Sequence, residues 1–314
     1  MQAFALDDVG KPGSLRELPT PEPQEGQVLV RVRAAGVNPF DAVVAQGYVM
    51  GMMEHRFPLV PGVDAAGVVE AVGNGAGDLA VGDEVFGFVG KPHLGEGTYA
   101  EAVTMSAGSI SRKPASLDFR QAAAVSLAGA AALTLLDAVA LAAGHTVLVI
   151  GASGGVGSFL VQLATQRGAR VVGICSGPNL GYVRDLGAAD VIDYTQGDVG
   201  EAVRARCPDG VDAIVDLAGD KAELTTLSQH LRPGTHVASA AMAADEEELA
   251  KRGIKAANTV TSATTAHMDL LARELEDGTL RLPEIHALPL DQAADALAQI
   301  GTRHTRGKLV LEVS

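Results

Sequence analysis

"VLVIGASGGVGSFLVQLATQRGARVVGICSGPN", residues 147–179, decides the fold. It opens on an apolar run, Val147 to Ile150, without the in/out alternation of a half-buried strand, as expected of a strand covered on both faces. A turn of small residues follows: Ala152-Ser153-Gly154-Gly155-Val156-Gly157, a G-x-G-x-x-G fingerprint with Ala in its first place. Val156, Phe159, Leu160, Leu163 and Ala164 then recur at helical spacing. A second apolar run at 170–174 closes a strand–helix–strand unit of about 30 residues. Small residues let the backbone approach a pyrophosphate, whose charge meets the free amides at the helix start. A Gly-rich turn alone only tightens a corner. Here the required strand precedes it and the required helix follows, so Ser153, Gly154, Gly155, Val156 and Gly157 are expected to bind a dinucleotide.

The end of the second strand bears on which dinucleotide. An acid about 20 residues beyond the glycines would hydrogen-bond the 2′-hydroxyl of NAD. That place holds Ser176, followed by Gly177, Pro178 and Asn179. A neutral loop carrying a hydroxyl removes the repulsion that a 2′-phosphate would meet, so NADP(H) is expected over NAD. No Lys or Arg stands in the loop to strengthen the preference.

Working outward, further apolar runs at 190–194, 213–217 and 236–240 alternate with helix-like segments. Such an order is the signature of a parallel, doubly wound sheet. The first hundred residues read differently, as short strands at 27–37, 65–73, 82–89 and 98–105 broken by Gly and Pro, a β-rich domain close to a partly open barrel. After about residue 265 come two helices, "MDLLARELEDG" and "DQAADALAQIG", and a last strand, "GKLVLEV". The fold expected is α/β: a Rossmann doubly wound parallel sheet over 122–264, and a β-rich domain from 1–121 and 265–314.

Composition narrows the function classes. In 314 residues there are 24 basic and 38 acidic side chains, a net charge of −14, which repels nucleic acid and anionic membranes. Cys175 and Cys207 are the only thiols, too few for a disulfide framework or a four-thiolate zinc site. The long run 122–143 is weak as a membrane span, because Ala dominates and Asp137 lies within it; alanine-rich helices packed in a domain are expected. With only two cysteines a cytoplasmic location is expected, and "MQAFALDDVGK" shows no basic leader before an apolar core.

Seven segments carry a family resemblance: "AAGVNPFDAVVAQG" (34–47), "FPLVPGVDAAGVVEAVG" (57–73), "VGDEVFGFV" (81–89), "GTYAEAV" (97–103), "GASGGVG" (151–157), "LGAADVIDY" (186–194) and "HTRGKLVLEV" (304–313). In this order along nearly the whole length, the chain resembles the medium-chain dehydrogenase/reductase superfamily, and within it the zinc-independent quinone oxidoreductase branch. The β-rich part would then be a GroES-like catalytic domain. Zinc enzymes of that superfamily carry Cys where this chain has Asn38, and His-Glu where it has Val63-Asp64. Asn, Val and one Asp do not make a tetrahedral zinc set, so no metal is expected. Without a Lewis acid, the acceptor must already be electrophilic, and holding a nicotinamide beside it in a dry cleft is the main task.

The resemblance places Asn38 near nicotinamide and substrate, although "VNPFD" is also turn chemistry in its own right. It puts Ser176 and Tyr194 beside the adenosine 2′-phosphate, with Asn179 where some relatives have Lys. Leu217, Ala218, Ser239 and Ala240 would end strands on the nicotinamide side, and Gly307-Lys308 would close over the cofactor; Lys308 could equally be a surface lysine flanking an edge strand. At Ala131 the chain lacks a hydroxyl that relatives direct at the nicotinamide amide. Tyr48 is the candidate phenol for donating a proton or holding a carbonyl oxygen, with loop packing as its plain alternative and water as the other proton source. His55 and His93 read as solvated, Asp41 as a helix cap, and Asp245 to Glu248 as a solvated helix face. The implied activity is NADPH-dependent, zinc-free hydride transfer to a small molecule, a quinone or an α,β-unsaturated carbonyl compound. A biosynthetic enoyl reductase and a non-enzymatic NADPH-binding redox sensor are the alternatives. A homodimer joined through the last sheet strand, near "THVASAAM", is also implied.

Overall fold

The computed structural model describes residues 1–314. The chain divides into two compact units, Met1–Ala130 with Ala263–Ser314, and Ala131–Ser262.

In the second unit the apolar runs become a six-stranded parallel sheet. Across the sheet its strands are Asp190–Asp193, Arg170–Cys175, Thr146–Ile150, Val211–Asp216, Leu231–Ser239 and Lys255–Asn258. In chain order this is 3-2-1-4-5-6, the doubly wound arrangement. Val147, Leu148 and Val149 at its centre are fully buried, as their lack of alternation requires. One expectation needs correction. Residues 236–240 do belong to a strand, but that strand is paired on both sides, to Val211–Asp216 and to Lys255–Asn258. The sheet edge is therefore Lys255–Asn258 rather than "THVASAAM". "KAAN" offers no branched or aromatic residue, so its sequence carries no strand signal.

In the first unit a seven-stranded sheet runs in the order Ile285–Pro289, Lys308–Glu312, Gln27–Val37, Asp64–Val72, Glu84–Phe88, Ile110–Arg112, with Ala102–Ser106 also paired to Gln27–Val37. The strand expected at 98–105 starts only at Ala102; Tyr99 and Ala100 before it reach across to the N-terminal strand Gln2–Ala5. Lys308–Glu312 lies between two neighbours, so it is not an edge strand. A core containing Phe4, Val30, Leu59, Tyr99, Met105 and Leu309 fills this unit.

The alanine-rich run forms one helix, Phe119–Ala138, long and apolar enough to cross a membrane by length and composition, with 72% of its most apolar window buried in protein. Its small residues permit close packing. A side chain on Gly129 would strike Leu271 of the helix Thr265–Glu276 at 2.6 Å.

Candidate active site

The second unit carries the Gly-rich turn expected to hold a pyrophosphate. Gly151 turns the chain at φ +81°, a left-handed conformation that favours glycine. The helix Gly155–Gln166 then starts behind Gly154, and its first internal bond runs from Ser158 N–H to the Gly154 carbonyl at 2.9 Å. The amides of Gly155, Val156 and Gly157 thus have no acceptor within the helix. Two glycines here do different work. A methyl on Gly157 would lie 2.4 Å from the Gly151 carbonyl oxygen, so this residue lets helix and strand meet. At Gly154 the nearest atom would be 3.5 Å away, leaving room for a ligand to approach the backbone. Ser158 Oγ donates to the Gly154 carbonyl at 2.7 Å and lies 2.8 Å from Tyr182 Oη, fixing the loop from below.

Ser153, Ser176 and Asn179 come together: Asn179 Nδ2 donates to Ser153 Oγ at 3.3 Å and to Ser176 Oγ at 3.0 Å. Tyr194, 44% exposed, follows the neighbouring strand, with its N–H on the Cys175 carbonyl at 3.2 Å. The loop is neutral, as its sequence says, but its surroundings are not. Asp193, paired to Cys175 across the sheet, sets a carboxylate oxygen 2.6 Å from where a Gly177 side chain would begin. The acid absent from this strand end is delivered by the next strand. Burial pushes the Cys175 thiol up to about 11, and Asp193 adds to that while Arg184 opposes it.

At the ends of the two following strands, buried Asp216 organises the backbone. One of its oxygens accepts from the Ala218 and Gly219 amides at 3.2 and 2.7 Å, and the other from Ser239 Oγ at 2.6 Å. The Ser239 hydroxyl also accepts from Ala243 N–H at 3.0 Å, and the Ala240 amide is bonded to the Asp216 carbonyl at 2.8 Å. Ser239 is therefore a brace, whereas Leu217 is half-buried and Ala218 and Ala240 are exposed. Asp216 was missed because an acid ending the run "AIVD" reads as a strand terminus.

In the first unit, strand register builds a buried polar cluster. Leu309 pairs with Val37, so Lys308 falls opposite Asn38; Ala65 pairs with Ala35, so Asp64 falls opposite Gly36. Residues opposite one another in antiparallel strands share a face, as do residues two apart. Lys308, Asn38 and Asp64 therefore converge. Asn38 Nδ2 donates to Asp64 Oδ1 at 2.7 Å, and Lys308 Nζ donates to Asn38 Oδ1 and, at 3.2 Å, to the Val37 carbonyl. Asp64 Oδ2 accepts from Leu127 N–H at 3.0 Å. Gly36 makes the space: its absent side chain would lie 2.6 Å from Asp64 Oδ1. Lys308 is buried, which removes its reading as a surface lysine. Gly307, at φ +68°, is held by backbone geometry, since a side chain there would strike the Glu284 carbonyl at 2.1 Å.

Asp41 caps the helix Pro39–Ala45, accepting from Asn38 N–H at 2.8 Å and from Tyr99 Oη at 3.0 Å. Burial, with the Asp64 charge nearby, pushes its carboxyl up to about 7. Tyr48 is 74% exposed and its phenol meets no partner in the protein; Met50, Met52, Met53 and Phe57 are exposed on the same segment. His93 is not solvated as expected, because it is packed between Arg56 and Glu96, and His55 Nδ1 lies 2.8 Å from the Met53 carbonyl. No group of three or more His, Cys, Asp or Glu side chains is assembled that could hold a metal ion.

Residues 24–115 match the alcohol dehydrogenase GroES-like domain family, and residues 186–311 match a family described as zinc-binding dehydrogenase. The chain is 32% identical to the chloroplastic NADPH-dependent alkenal/one oxidoreductase of Arabidopsis thaliana, covering 99% of this chain and 79% of that one. It is 28% identical to a chloroplast envelope quinone oxidoreductase homolog from the same plant, over 94% and 92% of the two chains. The solved quinone oxidoreductase of Coxiella burnetii superimposes with a TM-score of 0.90 at 30% identity, covering 100% of this chain and 99% of that one. Likeness of this grade along the whole length fixes the lineage: the chain belongs to the medium-chain dehydrogenase/reductase superfamily, on its quinone oxidoreductase branch, and is an oxidoreductase.

Proposed function

We propose that this protein is an NADPH-dependent, zinc-free reductase of quinones or α,β-unsaturated carbonyl compounds. The observation that carries the reading is the Asn38–Asp64–Lys308 cluster. The Asn38 carboxamide, standing where zinc relatives keep a Cys ligand, donates to the Asp64 carboxylate and accepts from the Lys308 ammonium. An ammonium in hydrogen-bond contact with that set repels a divalent cation, so chemistry here rests on orientation and hydrogen bonding.

The cradle at Ser153 to Gly157 fits a pyrophosphate, with unbonded amides and open space at Gly154. Ser176, Asn179 and Tyr194 would hold the adenosine end, and the backbone at Leu217, Ala218 and Ala240 would face the nicotinamide end. When bound, the cofactor supplies a hydride. Its addition at the β-carbon of an enone would shift the C=C pair and leave negative charge on the carbonyl oxygen. A proton from water, or from the exposed phenol of Tyr48, then completes the reduction. The relatives named above, an alkenal/one oxidoreductase and quinone oxidoreductases, support this acceptor class. The test is NADPH oxidation across quinones, 2-alkenals and enones, with zinc measured on the same sample. Turnover without zinc is expected; turnover of simple alcohols only when zinc is bound would refute the reading. Tight NADPH binding without turnover of any acceptor would favour a sensor.

We also infer a homodimer joined along Lys255–Asn258. No strand covers the outer side of this edge, where Asn258 N–H donates to Glu246 Oε1 at 2.9 Å, and Val260 just beyond it is 79% exposed. Light scattering at micromolar concentration should give twice the chain mass, and a monomer would overturn the inference.

A further inference from the structure

The Asn38 carboxamide is held at both ends by groups that can bind it in only one orientation. An ammonium has only donors and a carboxylate only acceptors. Lys308 therefore fixes the amide oxygen, and Asp64 fixes one N–H. Asn38 has a second N–H, and it carries no partner in the protein. All three side chains are buried: Asn38 and Lys308 are 4% exposed and Asp64 is fully enclosed. Each contact is thus charge-assisted in a poorly screened setting. The Lys308 cation draws density from the amide oxygen and makes the remaining N–H a stronger donor. Gly36 keeps the arrangement possible, since any side chain there would displace the Asp64 carboxylate.

We propose that the unpartnered N–H of Asn38 binds the acceptor's oxygen, where charge develops on hydride addition, and that Lys308 and Asp64 are the positioning residues that aim and polarise it. This rests on the reductase reading above and gives Lys308 a role other than cofactor contact. A preorganised donor of this kind is worth more in the transition state than in the ground state, so its loss falls on kcat.

The test combines turnover with a spectroscopic probe. Asn38→Ala, Lys308→Met and Asp64→Asn are compared with wild type for kcat and KM on one enone, and for NADPH affinity by fluorescence. Binding of 4-nitrophenolate, a stand-in for the enolate oxygen, is followed by its absorption band in the presence of NADP⁺. Asn38→Ala should lower kcat about a hundredfold and Lys308→Met about tenfold, with NADPH affinity unchanged within about twofold. Phenolate binding should weaken in parallel, and Lys308→Arg should restore part of both. If Lys308→Met unfolds the protein, Asp64→Asn, which keeps the side-chain shape, carries the same prediction. Wild-type kcat and phenolate affinity in Asn38→Ala, or in the folded positioning variants, would overturn the proposal and leave the reductase reading intact. A wild-type protein inert to every quinone and enone would instead overturn the reductase reading, and this proposal with it.

Discussion

The two glycines of the loop proposed to hold the pyrophosphate offer a paired test, because the same added methyl group meets different surroundings. At Gly154 it would lie no closer than 3.5 Å to any atom, in a backbone conformation (φ −75°, ψ 177°) open to every residue. Gly154→Ala gains roughly 0.4–1 kcal/mol by restricting the unfolded chain. It loses a comparable amount because Ala is a poorer N-cap, so the melting temperature should hold within about 2 °C. The methyl would, however, occupy the space through which a pyrophosphate reaches the amides. Loss of one charge-assisted contact, about 1.5–3 kcal/mol, weakens NADPH binding roughly 10- to 150-fold. Gly157→Ala reverses the pattern. Its methyl would stand 2.4 Å from one carbonyl oxygen and 2.7 Å from two further backbone atoms. Backbone cannot swing aside as a side chain can, so the helix must back away from the strand. Overpacking of that kind costs about 1–3 kcal/mol and lowers the melting temperature by some 2–4 °C per kcal/mol. Ligand-free thermal melts and an NADPH fluorescence titration on both variants suffice. A Gly154→Ala protein that binds NADPH as wild type does would refute the argument that this backbone meets the pyrophosphate.

Three further outcomes follow from the same structure. Asp193→Asn removes the charge beside Gly177 and should raise the NADPH-to-NADH ratio of kcat/KM about three- to tenfold, since one screened charge is worth roughly 1 kcal/mol; an unchanged ratio would remove Asp193 from cofactor selection. Asp41 is raised to about 7 from an ordinary 3.8, so the folded state holds its proton more tightly than the unfolded chain. That contribution is complete below about pH 4 and is lost as pH rises through 7. Asp41→Asn keeps an acceptor for Asn38 N–H and Tyr99 Oη, and should flatten the decline in melting temperature over this window; parallel wild-type and variant profiles would count against it. Gly36→Ala would press on both Asp64 oxygens, at 2.6 and 2.8 Å, and on the Ala123 carbonyl at 2.9 Å. A destabilisation of about 1–3 kcal/mol should appear in denaturant titration, with kcat falling as Asn38 loses its anchor.

What the sequence determined by itself is whatever depends on neighbours in the chain. The buried strand at Val147, the turn at Gly154 and the helix behind it are local patterns. Their spacing announced the strand–turn–helix unit and, with it, the doubly wound sheet. Local patterning also marked Asp41 as a cap. It failed for Lys255–Asn258, where small and polar residues form a strand only because Leu231–Ser239 offers them a ladder. Only the tertiary structure decided the rest of the site. Asn38 meets Asp64 and Lys308 across separations of 26 and 270 residues, and Asp193 reaches Gly177 from a different strand. These encounters are set by strand register. A shift of one residue would turn Lys308 to the opposite face, and register comes from the packing of whole sheets, which no short stretch of sequence contains.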